Sequence, residues 1–296
     1  MEQILSFCRD VSIPEEHAIF FANAYHALEK TGGAATLNKA VDEFFADTTK
    51  KAPDVTAELA YLAEEAGIHT FTLNALFVIL AFIALRKTYT EKYGEEVYRD
   101  TAGDLANKIR ECIQVEEVIG ITAISWYQLL LREVIFALGR LQFHIFPFPC
   151  DVYEANGRVI HKGDPVIKMH IPSSGKLTEE LCFDAYRRAY RFFKDQYNTD
   201  VVPFMCSSWM LYPRNLEFFP EGGNLARFMS DFDIIQSGEN PEHPDLWRVF
   251  GKKYTDFTEL PRDNSLRAAM ADFLLAGNQM GYGLGVFFHD GEKIVR

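Results

Sequence analysis

Cys206 and His170 are the pair in this chain that could carry covalent chemistry, because a thiol activated by a nearby imidazole can accept an acyl group and pass it on. Cys206 lies in a run, Val201 to Leu211, that reads as a buried strand, where the competing reading is an inert small hydrophobe. Asp231 and Asp233 stand two residues apart on another expected strand, Arg227 to Ile235. On a strand their carboxylates would share a face and could bind or deprotonate an amine, with plain solvated carboxylates as the alternative. The other cysteines, Cys8, Cys112, Cys150 and Cys182, add no CxxC pair and no metal-finger spacing, so no metal centre is expected. Gly281-Tyr-Gly283-Leu-Gly285 superficially matches a phosphate-loop pattern, but it follows a helix and enters a strand, the reverse of the order phosphate binding requires. It is read as a helix stop with a flexible turn, or as close packing of the last strand against a ligand.

The elements that must position these groups begin at Gly139, where the pattern changes. Leu141 to Phe146 alternates and is rich in aromatics, the signature of a strand. Asn156-Gly157 is a two-residue hairpin turn, since both residues accept positive φ. Arg158 to His161 and Val166 to Ile171 supply the next strands, and the three are expected to form an antiparallel meander. A loop from Pro172 leads to Thr178, a plausible N-cap, and to a helix with the apolar stripe Leu181, Cys182, Ala185, Tyr186, Ala189, Phe192 and Phe193. After the strand Val201 to Leu211 come a short helical piece near Asn215 to Phe218, the strand Arg227 to Ile235, helices over Leu246 to Phe250 and Ser265 to Ala276, and a last strand, Gly283 to Phe288.

The first half is a row of helices. Ser12-Ile-Pro-Glu15 fits a capping box with proline in the first turn, and the helix it opens should stop at Gly32-Gly33. Further helices are expected over Leu37 to Ala46, Asp54 to Gly67, Thr72 to Tyr93, Glu95 to Val115 and Ala123 to Leu138, from apolar residues at three- and four-residue intervals. The run Ala75 to Leu85 is shorter than the roughly 20 apolar residues of a membrane span and is read as a buried central helix.

With 296 residues, 48% hydrophobic and 24% charged, the chain can bury a sizeable core. A net charge of −12, with Arg187, Arg188 and Arg191 as the closest approach to a basic run, argues against nucleic acid as a partner. The start, MEQILSFCRDVS, has no basic segment followed by a long apolar one, so no signal peptide is expected, and five scattered cysteines suit a reducing cytoplasm.

The succession from Leu141 onward resembles the second to seventh strands of the GNAT acetyltransferase fold. Gly139-Arg-Leu-Gln142, Lys162-Gly-Asp164, His170-Ile-Pro172, Cys206-Ser-Ser-Trp-Met-Leu-Tyr-Pro213, Asn224-Leu-Ala-Arg-Phe228, Leu260-Pro261 and Ser265-Leu-Arg267 resemble the GNAT-like C-terminal domain of bacterial proteins that carry a helical N-acyltransferase-type N-terminal domain. The resemblance covers nearly the whole chain. It implies an α+β protein, with a helical domain over residues 1–138 and a GNAT-like mixed-sheet domain over residues 139–296. It also implies an N-acyltransferase whose co-substrate is acetyl-CoA or another acyl-CoA, with a small-molecule or peptide amine as acceptor, while the charge, apolar-run length and cysteine spacing already speak against nucleic acid, membrane and metal.

The resemblance assigns residues too. The acyl-CoA pyrophosphate would sit where the central strand gives way to the helix, at Ser173, Ser174, Gly175 and Lys176: glycine lets backbone approach phosphate, serine hydroxyls donate and lysine adds charge. The family signature Q/R-x-x-G-x-G/A is absent from this loop and Glu179 and Glu180 follow it, so an ordinary strand–helix connection is the competing reading. A backbone donor for the thioester carbonyl would come from Met169 to Ile171. His170 would be the base, or a strand histidine satisfied by backbone or water. Tyr212 would protonate the thiolate, Asp231 and Asp233 would handle the amine, and Trp209, Asn224 and Arg227 would line or orient the acceptor. Two other functions fit the same residues: a non-catalytic GNAT-like binding or regulatory module, and a Cys206 acyl-enzyme transferase or hydrolase.

Overall fold

The computed structural model describes residues 1–295, and the chain divides between Ala137 and Leu138 into two compact units. The first holds eight helices: α1 (Glu2–Asp10), α2 (Glu15–Thr31), α3 (Gly33–Ala46), α4 (Ala52–Glu58), α5 (Ala60–Ala66), α6 (Thr70–Tyr93), α7 (Glu95–Glu116) and α8 (Ile124–Leu131). Helix α6 touches each of the other seven. Its buried residues, among them Leu76, Phe77, Val78 and Ile79, run all round the helix, as expected for a helix at the centre of a bundle. By length and composition α6 could cross a membrane, but 61% of its most apolar window is buried within the protein.

Several local expectations for this unit are corrected. Ser12 forms no capping box: it sits at φ 58 and Pro14 takes the N-cap position of α2. The expected helix Asp54 to Gly67 is two helices, α4 and α5, divided at Leu59. The expected helix Ala123 to Leu138 ends at Leu131, and Phe136–Leu138 is instead a short strand, β1, at the division between the units. The stop follows from Arg132, which donates to the carbonyls of Phe44, Asp47 and Lys50 and lies over the Phe44 ring, holding the chain where it leaves α8.

The second unit contains β2 (Leu141–Pro147), β3 (Val152–Ala155), β4 (Arg158–His161), β5 (Pro165–His170), α9 (Glu179–Phe193), β6 (Val202–Ser208), α10 (Asn224–Met229), β7 (Asp233–Glu239), α11 (Leu246–Phe250), α12 (Ser265–Leu275), β8 (Gly281–His289) and β9 (Ile294–Val295). In its sheet β2, β5, β6, β8 and β7 lie side by side in that order, with β9 beside β8. Only the β5–β6 pair is parallel, because α9 carries the chain back across the sheet between them. The expected meander is corrected here. Asn156 and Gly157 do turn a hairpin at φ 52 and 71, but β3 and β4 pair only with each other, and β5 pairs with β2. The hairpin is an excursion between two neighbouring strands.

Two further readings change. Arg227 to Ile235 is not a strand: α10 ends at Met229 and β7 begins at Asp233. The i,i+4 spacing of Arg227 and Asp231, whose side chains form an ion pair, fits the helical turn better than an alternating face. Leu181, placed in the apolar stripe of α9, is 45% exposed, while Cys182, Ala185, Tyr186 and Ala189 are buried.

The Gly281-x-Gly283-x-Gly285 pattern opens β8 and is a packing device. A Cβ at Gly283 would meet the Leu211 carbonyl oxygen at 2.0 Å, one at Gly281 the Tyr212 ring at 2.6 Å, and one at Gly285 Phe232 at 2.7 Å. The three glycines let neighbouring chain lie directly on one face of the strand. Gly283→Ala is expected to destabilise the protein by about 3 kcal/mol, because a backbone atom must move. Urea unfolding checks this, and a loss below about 1 kcal/mol would contradict the packing role.

Candidate functional site

Strands β5 and β6 pair at Ile167–Phe204, Lys168–Met205 and Met169–Cys206, and there the ladder ends. Beyond that point β6 continues to Ser208 paired with β8 alone, while β5 gives way to the loop Ile171–Thr178. Between the parting ends lies a cavity of about 330 Å³. One wall is the loop, through Ile171, Pro172, Ser173, Gly175, Lys176 and Leu177. The facing wall is Trp209, Met210, Asn224 and Leu225, with Arg140 and Arg248 completing the lining. Trp209 belongs to an apolar cluster with Phe219, Val249, Phe250 and Met270, against which Met210 and Leu225 pack. The cavity thus joins a basic, amide-lined side to an apolar one.

The amides of Ser174, Gly175, Lys176 and Leu177 donate to no described residue. Gly175 adopts φ +67, and a turn through that left-handed region lets successive amides converge on an anion. Arg140, one residue before β2, holds the other edge of the loop: its Nη1 donates to the Pro172 carbonyl at 3.0 Å, Nη2 to Gly175 at 3.0 Å and Nε to Lys176 at 3.2 Å. Arg140, Lys176 and Arg248 make the lining basic in a chain whose net charge is −12. Arg248 is paired with Asp245 at 2.7 Å. The two acids that open α9 are engaged elsewhere. Glu179 pairs with Arg227 at 3.1 Å, and the Glu180 carboxyl, held below its usual range by its own amide and the Thr178 hydroxyl, closes the helix end.

Of the expected phosphate residues, the structure brings Ser173, Gly175 and Lys176 to the cavity wall with Ile171, and leaves Ser174 outside the lining. Met169 is buried in the last β5–β6 pair. Trp209 and Asn224 face the loop across the cavity, but Arg227 does not line it and instead bridges Glu179 and Asp231. Asp231 is 4% exposed and also accepts from the Tyr186 hydroxyl at 3.0 Å. Asp233 accepts from the Tyr153 hydroxyl at 2.6 Å. The two carboxylates border one small pocket with Tyr153 and Phe287, but only Asp233 lies on a strand and each is held by its own partners. Tyr212 is buried with its ring against Gly281. Arg140 and Arg248 were not singled out as site residues. Arg140 stands in one of the strings that resemble the GNAT-like domain, but it lies 32 to 36 residues from the carbonyls it holds, beyond the reach of any local pattern.

His170 ends β5 beside His144, with ring centroids 5.0 Å apart. Burial, then the neighbouring His144 and Lys168, pushes His170 down to about 3; burial, then Lys168, pushes His144 down to about 4. His289, fully buried on β8, is likewise pushed to about 4 by burial. All three stay neutral in the native state near pH 7. An unfolded histidine binds its proton near pH 6.5, so as pH falls below that value the unfolded chain gains protons the native one refuses, and stability drops. Three such groups set an upper limit of roughly 4 kcal/mol per pH unit between about pH 6 and pH 4. Urea midpoints at pH 7.5 and 5.0 should differ strongly, and His289→Phe should flatten the difference. Equal midpoints would contradict neutral burial.

Cys206 is fully buried and its thiol is pushed up to about 12 by burial, so thiolate is scarce at neutral pH. Among the described residues no cluster of three or more His, Cys, Asp or Glu is placed to hold a metal ion.

Residues 135–287 match the family model of the GNAT-like C-terminal domain. The chain belongs to this GNAT-like family. Residues 2–132 match the N-acyltransferase N-terminal domain, so the two matches take up almost the whole GNAT-like chain. No curated protein matches it. Among solved structures, an acyltransferase mutant in complex with octanoyl-CoA is 21% identical, with a TM-score of 0.71 over 97% of this chain and 87% of that one. An acyltransferase in complex with decanoyl-CoA and teicoplanin is 20% identical, with a TM-score of 0.68 over 95% and 86%. An acyltransferase in complex with decanoyl-CoA is 19% identical, with a TM-score of 0.62 over 96% and 98%. At these identities the likeness establishes the fold of the GNAT-like chain.

Proposed function

We propose that this GNAT-like protein is an acyl-CoA-dependent N-acyltransferase that works in the cytoplasm on an amine of a small molecule or peptide. The observation that carries the reading is the cavity where β5 and β6 part, with the Gly175–Leu177 amides, Arg140 and Lys176 at the loop and apolar side chains on the facing wall, Arg248 completing the lining. Amides and cations suit a diphosphate, and the apolar wall suits a thioester and its acyl chain. Structures of the same fold are in complex with octanoyl-CoA and decanoyl-CoA, and one is in complex with decanoyl-CoA and teicoplanin, which supports a sizeable acceptor. Five free cysteines suit a reducing compartment.

In direct transfer the amine nitrogen bonds to the thioester carbonyl carbon, the C–S bond breaks with its electrons on sulfur, and the proton lost by nitrogen ends on the CoA thiol. The β5–β6 ladder ends at Met169 and Cys206, which supports a backbone donor to the carbonyl oxygen from the segment just beyond it. His170, which holds a proton only below about pH 3, is a weak base for an aminium group. Asp231 and Asp233 already have partners in Arg227, Tyr186 and Tyr153, so the proton path is not routed through them.

Calorimetry with acetyl-, octanoyl- and decanoyl-CoA should give saturable binding, and a thiol-release assay over a panel of amines should give turnover. No heat with any acyl-CoA would overturn the reading. Binding without thiol release would favour the regulatory-module alternative. A stable acyl adduct on intact mass spectrometry, lost in Cys206→Ala, would move the chemistry to that thiol; the buried, fully protonated Cys206 leads us to expect no adduct.

A further inference from the structure

We infer that Arg140 is a positioning residue that makes the donor site selective for diphosphate-bearing thioesters, by drawing the loop carbonyls of Pro172, Gly175 and Lys176 onto one guanidinium so that the loop presents amides to the ligand. The inference rests on the proposed acyl-CoA reading and deepens it.

A flexible loop offers an anion both donors and acceptors, and each carbonyl left facing the cavity repels phosphate. In this loop three carbonyls are held within 3.0 to 3.2 Å of Arg140, each by a different nitrogen. The Ser174 to Leu177 amides have no partner among the described residues and lie in the same segment. Gly175, at φ +67, supplies the reversal that allows its own carbonyl and the next to reach the same group. The positive charge also sits in the cavity lining, where it favours an anion. A planar fork with donors on three nitrogens does this; a lysine ammonium keeps the charge but has a single, mobile nitrogen and cannot span the same three acceptors. The selectivity concerns the phosphates, because the three bonds from Arg140 all go to loop carbonyls and none to the apolar wall residues Trp209 and Leu225.

The test compares CoA with pantetheine, which shares the thiol arm but lacks the diphosphate. Binding to full-length protein is measured by calorimetry, and KM and kcat are measured with octanoyl-CoA and S-octanoyl-pantetheine. Arg140→Lys should weaken CoA binding about tenfold, the equivalent of one charge-assisted hydrogen bond, and raise KM for octanoyl-CoA similarly with kcat little changed. Binding and KM for the pantetheine forms should change less than about twofold, because those forms make no phosphate contact. Arg140→Ala should widen the gap. If it fails to give native circular dichroism, Arg140→Lys decides alone. An Arg140→Lys protein indistinguishable from the parent, or one weakened equally for both donors, overturns the inference. Parent protein that fails to bind CoA at all overturns the acyl-donor reading itself, so the two failures are distinct.

Discussion

Gly175→Asp should weaken acyl-CoA binding by roughly thirtyfold or more, the equivalent of at least about 2 kcal/mol. Two effects combine. At φ +67 a side chain strains the backbone by about 1 kcal/mol, less for Asp and Asn than for most residues. The larger effect is electrostatic. A carboxylate about 6 Å from a phosphate repels it by roughly 3 kcal/mol at an effective dielectric constant near 20. The space itself is open, since a Cβ at Gly175 meets nothing within 4 Å, so no steric clash confuses the result. Gly175→Asn is the neutral comparison and should lose only a few-fold. Calorimetry over a salt series separates the terms, because added salt should restore part of the Asp variant's loss and none of the Asn variant's. Asp and Asn variants that bind alike would mean that no phosphate lies beside this loop.

Arg227→Ala should remove about 3–5 kcal/mol of stability, the usual result of leaving one member of a buried ion pair without its partner. Asp231 is 4% exposed, and the hydrogen bond it accepts from the buried Tyr186 hydroxyl does not replace a cation. Glu179 loses its partner too, but it is largely exposed and contributes little. In a unit of this size the melting temperature should fall by about 10 °C or more. Asp231→Asn should be milder, because it leaves Arg227 paired with Glu179. The comparison also decides what Asp231 does. If Arg227→Ala lowers acyl transfer only in proportion to the fraction folded, Asp231 is structural; an Arg227→Ala protein that keeps its stability and loses turnover would return Asp231 to the chemistry.

The elements that short-range rules control were legible from the chain. Asn156-Gly157 made its hairpin because both residues tolerate positive φ, and Thr178 capped α9 because its hydroxyl reaches the Leu181 amide. Helix α6 was recognisable as a central helix from its unbroken apolar run. The errors at α8 and at the β3–β4 hairpin each depended on a distant partner, whereas the one at Arg227 was a local choice between helical turn and strand. Helix α8 stops early where Arg132 reaches Phe44 and Lys50. The strand expected from Arg227 begins as a helix whose end pairs Arg227 with Asp231. The β3–β4 hairpin keeps to itself because β5 pairs with β2.

By itself the amino-acid sequence determined the family, the helical first half, the strand–loop–helix order around Gly175 and the candidate phosphate loop, since each is written in neighbouring residues through turn chemistry, capping and apolar periodicity. Only the tertiary structure decided that β5 and β6 part beyond Met169 and Cys206, that Arg140 and Arg248 join Lys176 at the cavity, and that Asp231 and Asp233 are claimed by Arg227 and Tyr153. A guanidinium and the carbonyls it holds some 35 residues away leave no periodic trace in the chain. Their meeting depends on which strands lie side by side, and that is set by burial across the whole sheet.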